Sequence, residues 1–261
     1  MIGVGAWSAG PMAERRRLLI LGGTGDAIAL AARAAGLPGL SVVSSLAGRT
    51  RSPRMPEGDL RVGGFGGANG LAGYLRDENI DLIVDATHPF AARITANAAA
   101  ACDDAERPLL ALRRPQWHPE PDDRWVEVDS VAESAITAGN HGSRIFVTVG
   151  GTEFGPFRDR PDMWLLVRLM ETAAEPLGIA DGVTVVARGP FDAEDEVCLM
   201  TEHRIDCVVT KNAGGDTTYG KIVAAQSLGL PVIMVRRPTA PETEAVETID
   251  AAIDWLKARL I

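Results

Sequence analysis

The chain has 261 residues, 46% hydrophobic and 23% charged, the balance of a globular protein able to bury a sizeable core. Its formal charge of −9 argues against a nucleic-acid binder, which needs a basic face, and means that an anionic ligand must be met by local Arg and Lys. No apolar stretch approaches the ~20 residues of a membrane helix. Cys102, Cys198 and Cys207 form no CxxC pair and point to reduced thiols in the cytoplasm. Residues 1–14 lack the basic start and apolar core of a signal peptide and read as a disordered tail.

The first element is Leu18-Leu19-Ile20-Leu21, an apolar run expected to form a strand buried on both faces. Gly22-Gly23-Thr24-Gly25-Asp26 follows and opens an alanine-rich helical segment through Ala35. Glycines after such a strand let the backbone turn tightly against a ligand, and the helix beyond aims its N–H groups and positive dipole end at a phosphate. The spacing departs from the full G-x-G-x-x-G pattern, so a purely structural turn is the competing reading.

An internal repeat organises the rest. Leu19–Thr24 is echoed by Val147–Thr152, Ile80–Val84 by Ile205–Val209, and Pro108–Pro115 by Pro231–Pro238, in the same order. Strands are expected near 17–22, 40–44, 81–85, 108–112, 125–128, 144–149, 163–168, 183–187, 205–209 and 231–235. Helices are expected near 25–36, 67–79, 89–105, 130–139, 192–203, 215–229 and 242–259. This alternation predicts an α/β protein of two Rossmann-like domains with mainly parallel sheets and a cleft between them. The proline-bearing segment 113–124 reads as the linker, giving domains 15–124 and 125–261.

Ligands of such sheets bind at the carboxyl ends of strands, so the loops there carry the candidate chemistry. After the second strand, Ser45, Arg49 and Thr50 stand where an NAD site would place an acid; they suit the 2′-phosphate of NADP instead. Arg61-Val62-Gly63-Gly64-Phe65-Gly66-Gly67, a second glycine-rich turn entering a helix, either lets a cofactor pass close to the backbone or is a flexible loop. Asp85-Ala86-Thr87-His88-Pro89 ends a strand and opens a helix; Thr87 and His88 would lie beside a cofactor's ribose and nicotinamide, unless they only fix the turn. In the second half, Arg188-Gly189-Pro190-Phe191 and the loop from Thr210 to Lys221 follow strands, and the latter suits a polyanion. Glu153 replaces Gly25 in the second glycine turn and would repel phosphate, so one dinucleotide site is expected. No metal-ligand spacing is present. A short-chain-type dehydrogenase would need Tyr-x-x-x-Lys, but Tyr74 precedes Glu78 and Tyr219 precedes Val223 at that spacing.

Through the Gly-Gly-Thr-Gly turn, Asp85–Pro89, Arg188–Phe191 and Lys211-Asn212-Ala213-Gly214-Gly215, the chain from about Leu18 onward closely resembles the precorrin-6A reductase family of cobalamin biosynthesis. The resemblance implies NADPH-dependent reduction of one double bond of the precorrin-6A macrocycle, giving precorrin-6B, and two domains that exchange a strand. Cofactor contacts are then expected from Gly22, Gly23, Thr24, Gly25, Asp26, Ser45, Arg49, Thr50, Gly64, Thr87, His88 and Pro89. The substrate, a tetrapyrrole bearing many carboxylates, would meet Arg188, Lys211, Asn212, Gly214, Gly215, Thr217, Thr218 and Lys221. Candidate proton donors are His88, Lys211 and Tyr219, alongside solvent. The alternatives are the cobalt-precorrin-6A branch and a non-catalytic NADPH sensor. No membrane partner is expected, and the internal repeat favours a monomer.

Overall fold

The computed structural model describes residues 15–48, 55–158, 160–173 and 175–260; the expected tail 1–14 and the cofactor candidates Arg49 and Thr50 lie outside them. Along the chain run β1 (Arg16–Leu21), α1 (Gly25–Ala35), β2 (Leu40–Leu46), β3 (Asp59–Val62), α2 (Ala68–Asp77), β4 (Leu82–Asp85), α3 (Ala92–Asp104) and β5 (Leu109–Leu112). Then come β6 (Trp125–Val128), α4 (Val131–Gly139), β7 (Arg144–Val147), two 3₁₀ turns (Gly151–Glu153 and Gly155–Phe157), β8 (Trp164–Leu169), β9 (Gly182–Val186) and α5 (Ala193–Glu202). The chain finishes with β10 (Cys207–Lys211), α6 (Gly220–Ser227), β11 (Val232–Val235), β12 (Ala245–Val246) and α7 (Ile249–Lys257).

Two six-stranded sheets result, in the orders β3-β2-β1-β4-β5-β12 and β9-β8-β7-β10-β11-β6. Every pairing is parallel. This is the doubly wound order, with the winding direction reversing between β1 and β4 and again between β7 and β10. The expected α/β class with two Rossmann-like sheets is therefore what the chain adopts.

Period-2 alternation explains why β1 is apolar throughout. Leu18 and Ile20 pack with Leu30, Ala31 and Ala34 of α1 and with Ile253 and Leu256 of α7. Leu19 and Leu21 point to the other face, against Leu71 and Leu75 of α2 and Ala98 and Cys102 of α3. Small residues on α1 and α3 let these helices lie close to the sheet. In the second unit, Phe146, Leu166, Val208 and Met234 face Met200 of α5 and Ile222, Ala224 and Ala225 of α6.

The compact units do not divide at residue 124. One joins the chain up to Arg113 with the segment from Ala240 onward; the other is Arg114–Thr239. The reason lies in the pairing. Strand β6 follows β5 in the chain but pairs with β11, whereas β12 follows β11 but pairs with β5. Arg113 N–H donates to Val246 O, and Ala111 N–H to Glu244 O, fixing that return. The helix expected over 242–259 accordingly starts only at Ile249, where Thr248 caps it. Strands β3 and β12 were not expected: one is four residues with Asp59 and Val62 exposed, the other only two residues long. Likewise α3 starts at Ala92 rather than at Pro89, and α6 at Gly220 rather than near 215.

Candidate functional site

In the first unit, the switch point lies between the carboxyl ends of β1 and β4. Gly23 holds φ +114, a conformation open to glycine, and a Cβ there or on Gly25 would meet nothing within 4 Å. Gly22 is the packing glycine, since its Cβ would stand 3.3 Å from Ala27 Cβ. The Thr24 hydroxyl accepts from Ala27 N–H (3.1 Å), capping α1, and donates to Ala86 O (2.8 Å). Its side chain thus ties the helix start to the end of β4, which leaves the turn's open backbone as the ligand-facing surface. Asp26 sits in the first turn of α1.

Asp85 ends β4 almost wholly buried, 3% exposed. Its carboxylate accepts from Thr87 N–H (3.1 Å), Thr87 Oγ1 (2.6 Å) and Thr95 Oγ1 (2.6 Å). The Thr87 side chain is committed to this turn. His88 is exposed, and its Nδ1 accepts from Phe90 N–H at 3.2 Å, which puts the proton of the neutral ring on Nε2. Pro89 lies in the turn before α3, whose start has no side-chain cap.

At the adjoining edge, Ser45 is 6% exposed and its carbonyl accepts from Gly22 N–H (3.0 Å). Arg61, at the head of the glycine-rich turn and with no role of its own expected, donates to Ser45 Oγ (3.4 Å), Gly63 O (2.6 Å) and Gly64 O (2.8 Å). Its guanidinium lies 3.7 Å from the Phe65 ring centroid. The loop 63–67 is therefore held by a side chain, and Gly64 contributes its carbonyl to that hold.

In the second unit, the corresponding switch point is closed by an ion pair between Glu153 and Lys211. Burial pulls the Lys211 ammonium down to about 8, and the carboxylate against it works in the opposite direction. Asn212 is buried; its Oδ1 accepts from Trp117 N–H (2.8 Å) and its Nδ2 donates to Trp117 O (2.9 Å). Trp117 Nε1–H donates to Gly215 O (2.9 Å). Arg237 donates to the carbonyls of Asn212, Ala213, Arg114 and Pro115. A Cβ on Gly215 would fall 2.6 Å from Arg114 Cδ, and one on Gly214 would strike the Pro115 carbonyl. Asn212 and Gly214, both expected to meet substrate, are engaged with the 114–117 segment, which the loop's glycines and amide fasten.

Lys221, also expected to meet substrate, is likewise turned inward. It is 4% exposed, donates to Thr218 O (2.6 Å), and lies 4.9 Å from the Trp117 ring centroid, so it props the loop from within. Beside it is a buried pair, Arg168 to Glu196 at 2.5 Å. Among the described residues, Arg168 Nε and Glu196 Oε2 find no partner. The Arg168 guanidinium packs over Phe191 (4.0 Å to the centroid), and Phe191 N–H donates to Thr217 O (3.2 Å). The Arg188 and Thr217–Thr218 loops are thereby joined. Arg188 Nε–H donates to Met170 O (3.0 Å), with its guanidinium 3.8 Å from Glu171. Tyr219 stands 5.6 Å from Trp117 between ring centroids, and burial, with Asp123 and Glu120, raises its pKa above the usual value. Among the described residues no cluster of His, Cys, Asp and Glu could hold a metal ion, and no helix is long and apolar enough to cross a membrane.

A family model described as "Precorrin-6x reductase CbiJ/CobK" matches residues 17–257. The chain belongs to that family. A precorrin-6A reductase of Rhodococcus erythropolis is 50% identical over 244 residues, covering 92% of this chain and 97% of that protein. A cobalt-precorrin-6A reductase of Methanothermobacter thermautotrophicus is 30% identical over 254 residues, covering 89% and 80%. A solved structure titled "CobK precorrin-6A reductase" superposes with a TM-score of 0.86 at 39% identity, covering 93% of this chain and 96% of that one. Membership in this family of cobalamin biosynthesis reductases assigns the oxidoreductase class, in accord with the nucleotide-type turn of the first unit.

Proposed function

We propose that this protein reduces one double bond of precorrin-6A with NADPH, giving precorrin-6B. The observation that carries the reading is the open glycine backbone ahead of α1, fastened across the β1/β4 switch point by Thr24. The cofactor's fit rests on donor chemistry: positive-φ backbone at Gly23 with open space above it, and the 11-residue dipole of α1 behind it. Gly22–Gly25 would hold the pyrophosphate, with Asp26 at the rim. Ser45, Arg49 and Thr50 would serve the adenosine end, and Gly64 and the Thr87-His88-Pro89 turn the remainder. When bound, NADPH supplies the hydride; the chain's part is to orient it and keep water out.

Reduction also takes up one proton, so the macrocycle gains two hydrogens in all. Lys211, with burial and Glu153 in opposition, keeps its proton at neutral pH yet can release it. Tyr219, raised by burial, is likewise protonated there, and His88 stands exposed at the β4 end. These three are the candidate donors. The carboxylates of the macrocycle would be met by Arg188 and Lys211, on loops stiffened by Asn212, Lys221 and Arg168, with Gly215, Thr217 and Thr218 adding backbone and hydroxyl groups. The metal-free substrate is favoured because relatives named for it reach 40–50% identity, against 25–30% for those named for the cobalt form. The test is anaerobic NADPH oxidation with precorrin-6A, followed by the mass of the product. A gain of two hydrogens with NADPH preferred over NADH is expected; nucleotide binding without turnover on either macrocycle would sink the reading.

A further inference from the structure

We propose that Arg61 reads the 2′-phosphate of the dinucleotide and so sets the preference of the first unit for NADP over NAD. This rests on the NADPH reading above. The carboxyl edge of the sheet can be followed strand by strand: Gly22 N–H donates to Ser45 O (3.0 Å), and Ser45 is in register with Arg61 across the β2/β3 pairing. From the phosphate turn after β1, the Arg61 backbone thus stands two strand spacings away, about 10 Å, and its guanidinium reaches back to Ser45 Oγ at the end of β2. That is the direction in which adenosine extends from a 5′-phosphate held at the turn after β1, over the end of β2.

The donor inventory makes the case specific. Nη1 spends both protons, on Ser45 Oγ and Gly63 O, and Nη2 spends one on Gly64 O. Among the described residues, Nε–H and one Nη2–H meet no acceptor, and these are the donors with which a guanidinium grips a phosphate in a two-point fork. The plane is fixed in advance by Phe65 at 3.7 Å and Tyr74 at 5.2 Å from the guanidinium carbon. No carboxylate of the described residues pairs with Arg61, so its charge remains for an incoming anion. A guanidinium held by two carbonyls and an aromatic face loses little freedom on binding, which raises its worth as a recognition group.

The bland role, a clip for the glycine loop, predicts a different result, and two small probes separate them. Adenosine 2′,5′-bisphosphate and 5′-AMP share the adenosine and the 5′-phosphate; only the first carries the 2′-phosphate. Calorimetric titration of the full-length wild-type protein should show the bisphosphate binding more tightly. Arg61→Gln should reduce that ratio about tenfold or more, the loss expected for a charge-assisted pair, while 5′-AMP affinity stays within about twofold. Arg61→Lys, which keeps the charge but not the fork, should fall between. Equal weakening of both probes, or an unchanged ratio in folded variants, would make Arg61 a loop clip and overturn the assignment while leaving the NADPH reading intact. A wild-type protein that binds neither probe would overturn both.

Discussion

Replacing Lys221 by Met keeps most of the stem's volume and removes a charge that the fold holds against its preference. Burial pulls this ammonium from its usual 10.5 to about 7, with Glu196 opposing the fall and Arg168 adding to it. The sign follows from counting protons. Between pH 7 and 10.5 the unfolded chain holds a proton on Lys221 that the folded chain has released, so stability rises with pH across that window. Below about 7 both states are protonated and the penalty is constant. The slope approaches about 1.4 kcal/mol per pH unit only above the folded pKa, so the rise from pH 7 to 9 adds about 2 kcal/mol to the wild type that the Met variant cannot gain. Lys211, at about 8, adds a smaller rise to both proteins and cancels in the difference. Above pH 9 the buried thiols of Cys102 and Cys207, pushed up to about 12, reverse the trend in both proteins, because the unfolded thiols ionise first. Urea unfolding at pH 6, 7, 8 and 9 at constant ionic strength measures the gap. The variant should be relatively more stable at pH 6 and 7, and should lose about 2 kcal/mol of that advantage between pH 7 and 9. A gap independent of pH would mean that Lys221 stays charged in the folded protein, and the argument from burial would fail.

Other perturbations test the scaffold of each site. Thr24→Val removes the cap of α1 and the bond to Ala86 O, and should lower stability by about 1–2 kcal/mol and weaken NADPH binding, with Thr24→Ser restoring both; full affinity in the Val variant would detach the cap from the site. Asn212→Ala strands the buried N–H and carbonyl of Trp117 and should lower unfolding stability by about 2–4 kcal/mol; a loss under 0.5 kcal/mol would refute the clamp. Glu153→Gln removes the carboxylate that sustains the Lys211 charge, so the Lys211 pKa should fall and the alkaline limb of turnover should move to lower pH. An unmoved profile would show that Lys211 does not govern that limb.

What could be read in the chain beforehand was what is local and periodic. Leu18–Leu21 announces a strand buried on both faces because no polar residue interrupts it, and Gly22-Gly23 announces a turn because few other residues reach φ +114. The repeat, visible as three echoed segments, became two sheets of one topology. Hidden was whatever depends on a distant partner. Asn212 looks like a ligand-facing amide until Trp117, 95 residues away, occupies it. Lys221 looks like a ligand-facing cation, and its burial beneath Trp117 shows only once the helix register is known. Arg61 is the third residue of a strand of four, a pattern too short for period-2 reasoning to find. Strand β12 was concealed because its two residues gain their stability from β5 rather than from their own sequence.

The two switch points carry the same topology and opposite chemistry, and a short stretch accounts for the difference. In the first unit Gly-Gly-Thr-Gly runs into an 11-residue helix, so aligned peptide dipoles and open backbone converge where an anion can sit. In the second, Gly150-Gly151-Thr152-Glu153 runs into two three-residue 3₁₀ turns, too short to sum a dipole of that size. Where Thr24 bridges to Ala86 with a hydroxyl, Glu153 bridges to Lys211 with a charge. A phosphate at that second position would face a carboxylate and no helix, which disfavours a second dinucleotide there. The side-chain cation that stands at the second switch point is instead matched to the single carboxylate of Glu153. One half thus keeps the open backbone arrangement suited to a diphosphate, and the other has exchanged it for an internal ion pair.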